Sequence, residues 1–326
     1  MIVVTGGAGF IGSALVWALN RRGEDDILIV DQLHETEKWK NLVGLRFSDY
    51  LDKTVFIDQL TRGDFGDRIR AILHMGACSA TTEKDADYLM ENNYRYTARI
   101  AAWRETHPRC RLIYASSAAT YGDGARGYGD DEAGLAHLRP LNMYGYSKHL
   151  FDLQALRQGW LKHIVGLKYF NVFGPNEYHK GDMRSVINKA YPQVRDEGRM
   201  RLFKSHRPDY QDGEQLRDFI YVKDAVNMTL FFLDNPDIGG IYNIGTGRTQ
   251  SWNDVAAALF KAAGQPLTIE YIPMPDHLQG KYQYHTCADL TKLQAAGWSQ
   301  PCRPLEDAID DYVCRYLSTD AHLSSD

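Results

Sequence analysis

Residues 4–13, VTGGAGFIGS, constrain the fold of this chain more than any other stretch. A β-branched apolar run leads into them, and a helical pattern carrying Leu15, Val16 and Leu19 leads out. Gly7, Gly9 and Gly12 satisfy G-x-G-x-x-G, while Gly6, Gly9 and Gly12 form an evenly spaced G-x-x-G-x-x-G. Between a strand and a helix, such a turn cradles a pyrophosphate. A residue without Cβ permits the tight turn, another lets the backbone approach the phosphates, and a third lets helix and strand pack closely. The helix N-terminus adds unpaired N–H groups and a partial positive charge. The competing reading is a packing turn that binds nothing. Asp31 argues against it, because it ends the next apolar strand, DILIVD (26–31), where a carboxylate can bind an adenosine ribose. Asp31 alone favours NAD, since it repels a 2′-phosphate. Lys38 and Lys53 lie downstream and would neutralise that phosphate, so these residues leave NAD and NADP open.

Further apolar stretches follow at AILHMGA (71–77), RLIYASSAATYG (111–122) and HIVGLKYFNVFGP (163–175). They alternate with helical segments and are apolar on both faces, which specifies a parallel sheet covered by helices on each side. The expected fold class is α/β, a Rossmann-type doubly wound parallel sheet with a smaller, interleaved α/β substrate-binding lobe. Residues 1–170 plus about 217–240 are assigned to the dinucleotide-binding domain. Residues from about 171–216 plus 241–326 are assigned to the lobe, because polar, charged and aromatic loops begin beyond Pro175. The last residues, STDAHLSSD, are expected to fray.

Composition narrows the function. A net charge of −5 argues against nucleic acid as a partner. No apolar run nears the ~20 residues of a membrane span, and MIVV enters the glycine turn without a signal-peptide pattern. Five scattered cysteines without C-x-x-C spacing read as reduced thiols of a cytoplasmic protein. No metal-binding motif is present, so no metal is expected.

NMYGYSKHL places Tyr144 and Lys148 four residues apart at a helix start, on one face. A phenol has an ordinary pKa of about 10. A nearby ammonium and a nicotinamide cation would both favour its phenolate, making Tyr144 a base towards an alcohol. Ser117, at a strand end in ASSAATYG, would hydrogen-bond the same oxygen. An exposed surface pair is the alternative, and Tyr146 is the rival tyrosine, without a lysine at i+4.

The glycine turn, Ser117, Tyr144-x-x-x-Lys148 and RDFIYVKDA (217–225) resemble the extended short-chain dehydrogenase/reductase family, also called the NAD-dependent epimerase/dehydratase family, which acts on nucleotide sugars. The likeness covers nearly the whole chain. GACSATTE (76–83), ENNYRY (91–96), YFNVFGPNEYHKGDM (169–183) and GKYQYHTCADLTKLQAAG (280–297) are similar to its branch of ADP-heptose 6-epimerases, the HKG being the most specific element. The resemblance implies an isomerase that inverts C6 of ADP-heptose for the lipopolysaccharide inner core. It implies a homo-oligomer, often a pentamer, with one tightly bound NADP per subunit. Besides Gly6, Gly9 and Gly12, it assigns cofactor contacts to Phe10, Ile11, Asp31, Gln32, Lys38, Lys53, Met75, Gly76, Ala77, Cys78, Ser79, Asn92, Lys148, Val172 and Lys180. Substrate contacts fall on Ser117, Asn171, Lys180, Asp182, Lys189, Phe203, Arg217 and Tyr282. Tyr144 and Lys180 become the catalytic acid/base residues, with Lys148 and Ser117 in support. Met75 stands where the family usually has glutamate, Lys189 replaces a histidine, LFKSH (202–206) replaces LFEGS, and about eight extra residues precede Arg217.

Inverting a carbinol carbon with no neighbouring carbonyl cannot proceed by simple deprotonation, so the expected route passes through a 6-keto sugar. The hydroxyl points in opposite directions in the two epimers, which calls for a second base. Lys180 meets that demand if its pKa is depressed; a diphosphate anchor is the other reading. Arg217 suits a phosphate, or else an ion pair with Asp218 or Asp224. A 4,6-dehydratase would need an Asp–Glu pair after Ser117, where Ala118 and Ala119 stand. A nucleotide-sugar 4-epimerase and a non-catalytic NADP-binding sensor are the remaining alternatives.

Overall fold

A computed structural model of the chain describes residues 1–275 and 283–324. Seven strands form one parallel sheet: β1 (Ile2–Thr5), β2 (Ile27–Asp31), β3 (Asp49–Asp52), β4 (Ala71–His74), β5 (Arg111–Ser117), β6 (Val165–Tyr169) and an edge strand, Gly240–Ile244. Their spatial order is β3-β2-β1-β4-β5-β6 and then the edge strand. The chain winds outward from β1 to β3, then returns to lay β4 on the other side of β1. That reversal opens a crevice beyond the C-terminal ends of β1 and β4, where ligands of doubly wound sheets bind.

The strands form because their residues are β-branched and apolar on both faces; all of β1, β2, β4 and β6 are buried. Two cores cover the sheet. On one face lie α1 (Phe10–Arg21) and, further along the chain, helices Val222–Asp234, Trp252–Ala262 and Leu305–Tyr312. On the other lie α2 (Lys53–Arg62), α3 (Tyr96–Thr106) and α4 (Met143–Arg157). Local signals set the ends. The Asp52 carboxylate caps α2 by accepting from the Thr54 N–H at 2.8 Å, and Gly63 closes it at φ 82°. The Asn142 side chain caps α4 by accepting from the Gly145 N–H at 2.8 Å.

The smaller lobe is built from short pairs. β7 (Asn171–Phe173) runs parallel to β10 (Phe219–Tyr221), and β8 (Met200–Phe203) runs parallel to Ile269–Ile272. β9 (Leu216–Arg217) is antiparallel to Gln250–Ser251. The apolar stretch 163–175 is therefore two strands in different sheets. A tight bond from the Val172 N–H to the Phe170 carbonyl, 2.9 Å, turns the chain out of the main sheet. Residues 241–244, placed from the sequence with the lobe, instead complete the main sheet beside β6.

The expected fraying of the C-terminus is overturned over residues 318–324. Leu323 is fully buried, and its N–H donates to the Asn176 side-chain oxygen at 2.9 Å. His322 Nδ1 lies 2.8 Å from Asn41 Oδ1, and the Tyr178 hydroxyl donates to the Ala321 carbonyl at 2.9 Å. An apolar side chain with its own pocket and backbone partners holds this tail down.

Candidate active site

A cleft of about 1520 Å³ runs over the crevice between β1 and β4 and on towards the lobe. It exceeds the roughly 300–1,000 Å³ of a single drug-sized ligand and has room for a dinucleotide with a second large ligand.

The glycine turn forms its floor. Gly6 has φ 65°, and a Cβ there would lie 2.8 Å from the Gly76 backbone, so only glycine lets β1 and β4 end this close together. A Cβ on Gly12 would lie 2.0 Å from the Gly6 carbonyl oxygen. Gly6, Gly9 and Gly12 line the cleft, whereas Gly7 packs away from it against Val4 and Ile29. No side chain caps α1, whose first residues Phe10, Ile11 and Gly12 face the cleft. An uncapped helix start behind a turn that excludes Cβ atoms fits a dinucleotide pyrophosphate.

At one end of the cleft, Asp31 is buried and already engaged. One carboxylate oxygen accepts from the Ala8 N–H at 2.9 Å, and the other meets the Lys38 ammonium and the Gln32 N–H, each at 2.7 Å. The Lys53 ammonium donates to the Asn92 side-chain oxygen at 2.6 Å. Burial lowers the Lys53 pKa, and Lys38 pushes in the same direction.

Behind this floor lies a buried relay that sequence reading missed. The Gly76 N–H donates to the Thr5 hydroxyl oxygen at 3.1 Å, which leaves the Thr5 proton for His74 Nδ1 at 2.6 Å. His74 Nε2 meets the Thr97 hydroxyl at 2.8 Å, and that hydroxyl donates to the Asn93 carbonyl at 2.6 Å. Asn93 sits in a π-helical turn, Met90–Arg95. Its side chain pairs with both the N–H and the carbonyl of Cys78 at 2.9 Å, and reaches the Ser147 hydroxyl of α4 at 3.0 Å. Segment 75–79 is thus fixed to the helix that carries Tyr144. The doubled asparagine in ENNYRY was the available signal.

Ser117 ends β5, where its hydroxyl accepts from the Ala119 N–H at 3.1 Å, and it lines the cleft together with Tyr144 in the first turn of α4. Burial raises the Tyr144 pKa, and the neighbouring Ser117 hydroxyl opposes that rise. Lys148, one turn on, is buried and donates to the Ala115 carbonyl at 2.8 Å. Burial pushes its pKa down to about 8. The rival Tyr146 is 46% exposed and does not line the cleft.

Lys180 enters from the segment after β7, its ammonium 5.3 Å from the centre of the Phe10 ring. Burial lowers its pKa, and Glu177 acts against that. Val172 and Asn171 also face the cleft, with the Asn171 amide donating to the Asp218 carbonyl at 3.1 Å. Towards the lobe, the Arg217 guanidinium donates to the Leu216 carbonyl at 2.8 Å and to the Gln283 carbonyl, and lies 5.9 Å from the Trp252 ring centre. The Asp218 carboxylate instead accepts from Thr246, Gly247 and Ala288, while Asp224 faces Arg303.

The cleft therefore gathers the glycine turn, Gln32, Lys38, Lys53, segment 75–79, Asn92, Ser117, Tyr144, Lys148, Asn171, Val172, Lys180 and Arg217. Asp182, Lys189 and Phe203 do not line it. Asp182 and Lys189 are exposed, and the Lys189 ammonium donates to the Asp182 carbonyl at 3.1 Å. Tyr282 lies outside the described residues. Among the described residues, no group of three or more His, Cys, Asp or Glu could hold a metal, and no helix is long and apolar enough to cross a membrane.

The family model described as "NAD dependent epimerase/dehydratase family" matches residues 2–245. An ADP-L-glycero-D-manno-heptose-6-epimerase of Nitratidesulfovibrio vulgaris is 55% identical over 99% of this chain and 100% of its own length. One from Fusobacterium nucleatum is 48% identical, covering 98% of each chain. The solved structure of the Helicobacter pylori ADP-L-glycero-D-manno-heptose-6-epimerase superposes with a TM-score of 0.80 at 27% identity, over 96% of this chain and 94% of that one. A UDP-glucose 4-epimerase of Thermus thermophilus, solved with NAD, gives 0.74 at 25% identity over 96% and 97% of the two chains.

Proposed function

This chain belongs to the NAD-dependent epimerase/dehydratase family, and from that premise we propose that it interconverts ADP-D-glycero-D-manno-heptose and ADP-L-glycero-D-manno-heptose by inverting C6. Its product is then a heptose donor for the lipopolysaccharide inner core. The observation that carries the reading is the presence in one cleft of two separate proton-handling groups, Tyr144 and Lys180, beside a dinucleotide cradle.

The glycine turn, Asp31, segment 75–79, Asn92, Lys148 and Val172 would hold a nicotinamide dinucleotide, which would supply reversible hydride transfer at C6 of the sugar by way of its 6-keto form. The chain's own side chains handle the protons. Tyr144 takes the hydroxyl proton of one epimer, aided by Ser117, which lowers the cost of the phenolate. Lys180 serves the other epimer, whose hydroxyl points elsewhere. An ordinary lysine holds its proton too tightly for this work, and the burial that depresses Lys180 reduces that hold. Lys148 keeps two ammonium hydrogens beyond its bond to Ala115, suited to ribose hydroxyls. Asn171 and Arg217 line the cleft beside the sugar nucleotide, and the Arg217 guanidinium is the cation we assign to its phosphates.

We read the dinucleotide as NADP, because Lys38 neutralises Asp31 and Lys53 adds a second cation nearby. We also place the enzyme in the cytoplasm as a homo-oligomer, which sedimentation of the purified protein would check. The direct test of the second base is Lys180→Met assayed with ADP-heptose. Conversion should stall while the ligand still binds; a large loss of affinity with preserved turnover would make Lys180 an anchor instead.

A further inference from the structure

Glu177 is fully buried, and the chemistry above does not use it. Its carboxylate accepts four hydrogen bonds. Oε1 takes the Gly174 N–H at 3.2 Å, the Ser185 hydroxyl at 2.7 Å and the Tyr312 hydroxyl at 3.1 Å; Oε2 takes the Ser185 N–H. The Tyr312 hydroxyl itself accepts from the Asn188 amide at 2.7 Å, so its own proton is directed at Glu177. Four donors and no acceptor around one carboxyl group match its ionised form.

Three of these four bonds come from the two ends of one loop, and the fourth from Tyr312 on the helix Leu305–Tyr312. Gly174 precedes the segment that carries Lys180, and Ser185 follows it. The neighbouring Asn176 anchors the loop base in the left-handed region at φ 76°. Its amide donates to the Ser13 hydroxyl at 2.9 Å, its side-chain oxygen accepts from Leu323, and its carbonyl accepts from the Asn41 amide at 3.0 Å. Lys180 is thus held between a fixed base and a carboxylate that closes the loop.

We propose that Glu177 is a positioning residue for Lys180, closing its loop from both ends and holding a buried negative charge within that loop. This inference rests on Lys180 being an acid/base group. The other titratable and charged groups around the pair are His179, which faces Lys180 and Lys38; Tyr178 on the same loop; Tyr312 on its own helix; the exposed Asp182; and Arg184, which is half-buried, lines the cleft and donates to the Gly181 carbonyl at 2.8 Å. Removing the Glu177 charge leaves burial of Lys180 unopposed, so Lys180 should lose its proton at lower pH.

The test compares the pH dependence of kcat and KM for ADP-D-glycero-D-manno-heptose in the wild type, Lys180→Met, Glu177→Gln and Ser185→Ala, with melting temperature and dinucleotide content measured alongside. Lys180→Met should remove one limb of the profile. Glu177→Gln should keep that limb but move it about one pH unit lower, cutting kcat about 10- to 100-fold with KM within about threefold. Ser185→Ala removes one closing bond and leaves the charge, so it should lower kcat without moving the limb. A limb unmoved in Glu177→Gln, or a kcat within about twofold of the wild type, overturns the proposal. If Lys180→Met keeps both limbs, it is the acid/base reading of Lys180 that fails. Should Glu177→Gln not fold, Glu177→Asp decides: the retained charge on a shorter stem should leave the limb in place and lower kcat at least about fivefold, and an unchanged kcat overturns the proposal.

Discussion

The Lys38 ammonium lies 2.7 Å from the Asp31 carboxylate at the C-terminal end of β2, and the other Asp31 oxygen accepts from Ala8 inside the glycine turn. A carboxylate at this strand end ordinarily disfavours a 2′-phosphate. Here its charge is met by Lys38, and Lys53 stands nearby as a further cation.

That pairing predicts a selective effect on the cofactor. Lys38→Ala should weaken NADP binding by about 10- to 100-fold, the worth of a charge-assisted contact, and weaken NAD binding much less. Calorimetric titration of the dinucleotide-free protein with each cofactor checks this. Equal losses for both would mean that Lys38 does not contact a 2′-phosphate.

Tyr144 and Ser117 predict two separable effects. Tyr144→Phe should lower kcat by about 10²- to 10⁴-fold, the range of general acid–base catalysis, while dinucleotide content stays at the wild-type level. Ser117→Ala removes the hydroxyl that lowers the Tyr144 pKa, so the Tyr144-dependent limb of the rate profile should move to higher pH. A shift to lower pH would contradict the role given to Ser117.

His74 ties acid stability to the cofactor floor. Its ring accepts the Thr5 proton at Nδ1 and donates to Thr97 from Nε2, so a second ring proton would displace the Thr5 proton from Nδ1. Burial lowers its pKa from 6.5 to about 3. The unfolded chain then binds more protons in this window. The stability contributed by neutral His74 is complete above about pH 6.5 and is lost progressively as pH falls towards about 3. Urea denaturation should show His74→Gln less stable than the wild type at pH 7 and less sensitive to pH between 6.5 and 4. A variant as acid-sensitive as the wild type would assign that sensitivity elsewhere.

Much of the site was legible in the sequence because it rests on short-range chemistry. Gly6, Gly9 and Gly12 are glycines for steric reasons that spacing already expresses, and Tyr144 and Lys148 share a helix face by periodicity alone. Those features place the cofactor turn and the Tyr–Lys pair on the right elements. What stayed hidden depends on contacts between distant segments. His74, Asn93 and Glu177 look unremarkable locally, and each acquires its role only when β1, β4, α4 and the Lys180 loop meet. The strand DYLD was missed because an edge strand can be polar. The break at Phe170 was missed because both halves of 163–175 are apolar. Leu323 in the tail carries no signal until the fold supplies its pocket.

The central claim is that the hydrogen at C6 leaves and returns without exchanging with water. Conversion of ADP-D-glycero-D-manno-heptose by the purified protein in D2O, with no dinucleotide added and the product followed by NMR, tests it most directly. The account predicts inversion at C6 with protium retained there. Deuterium appearing at C6 in step with inversion would contradict it.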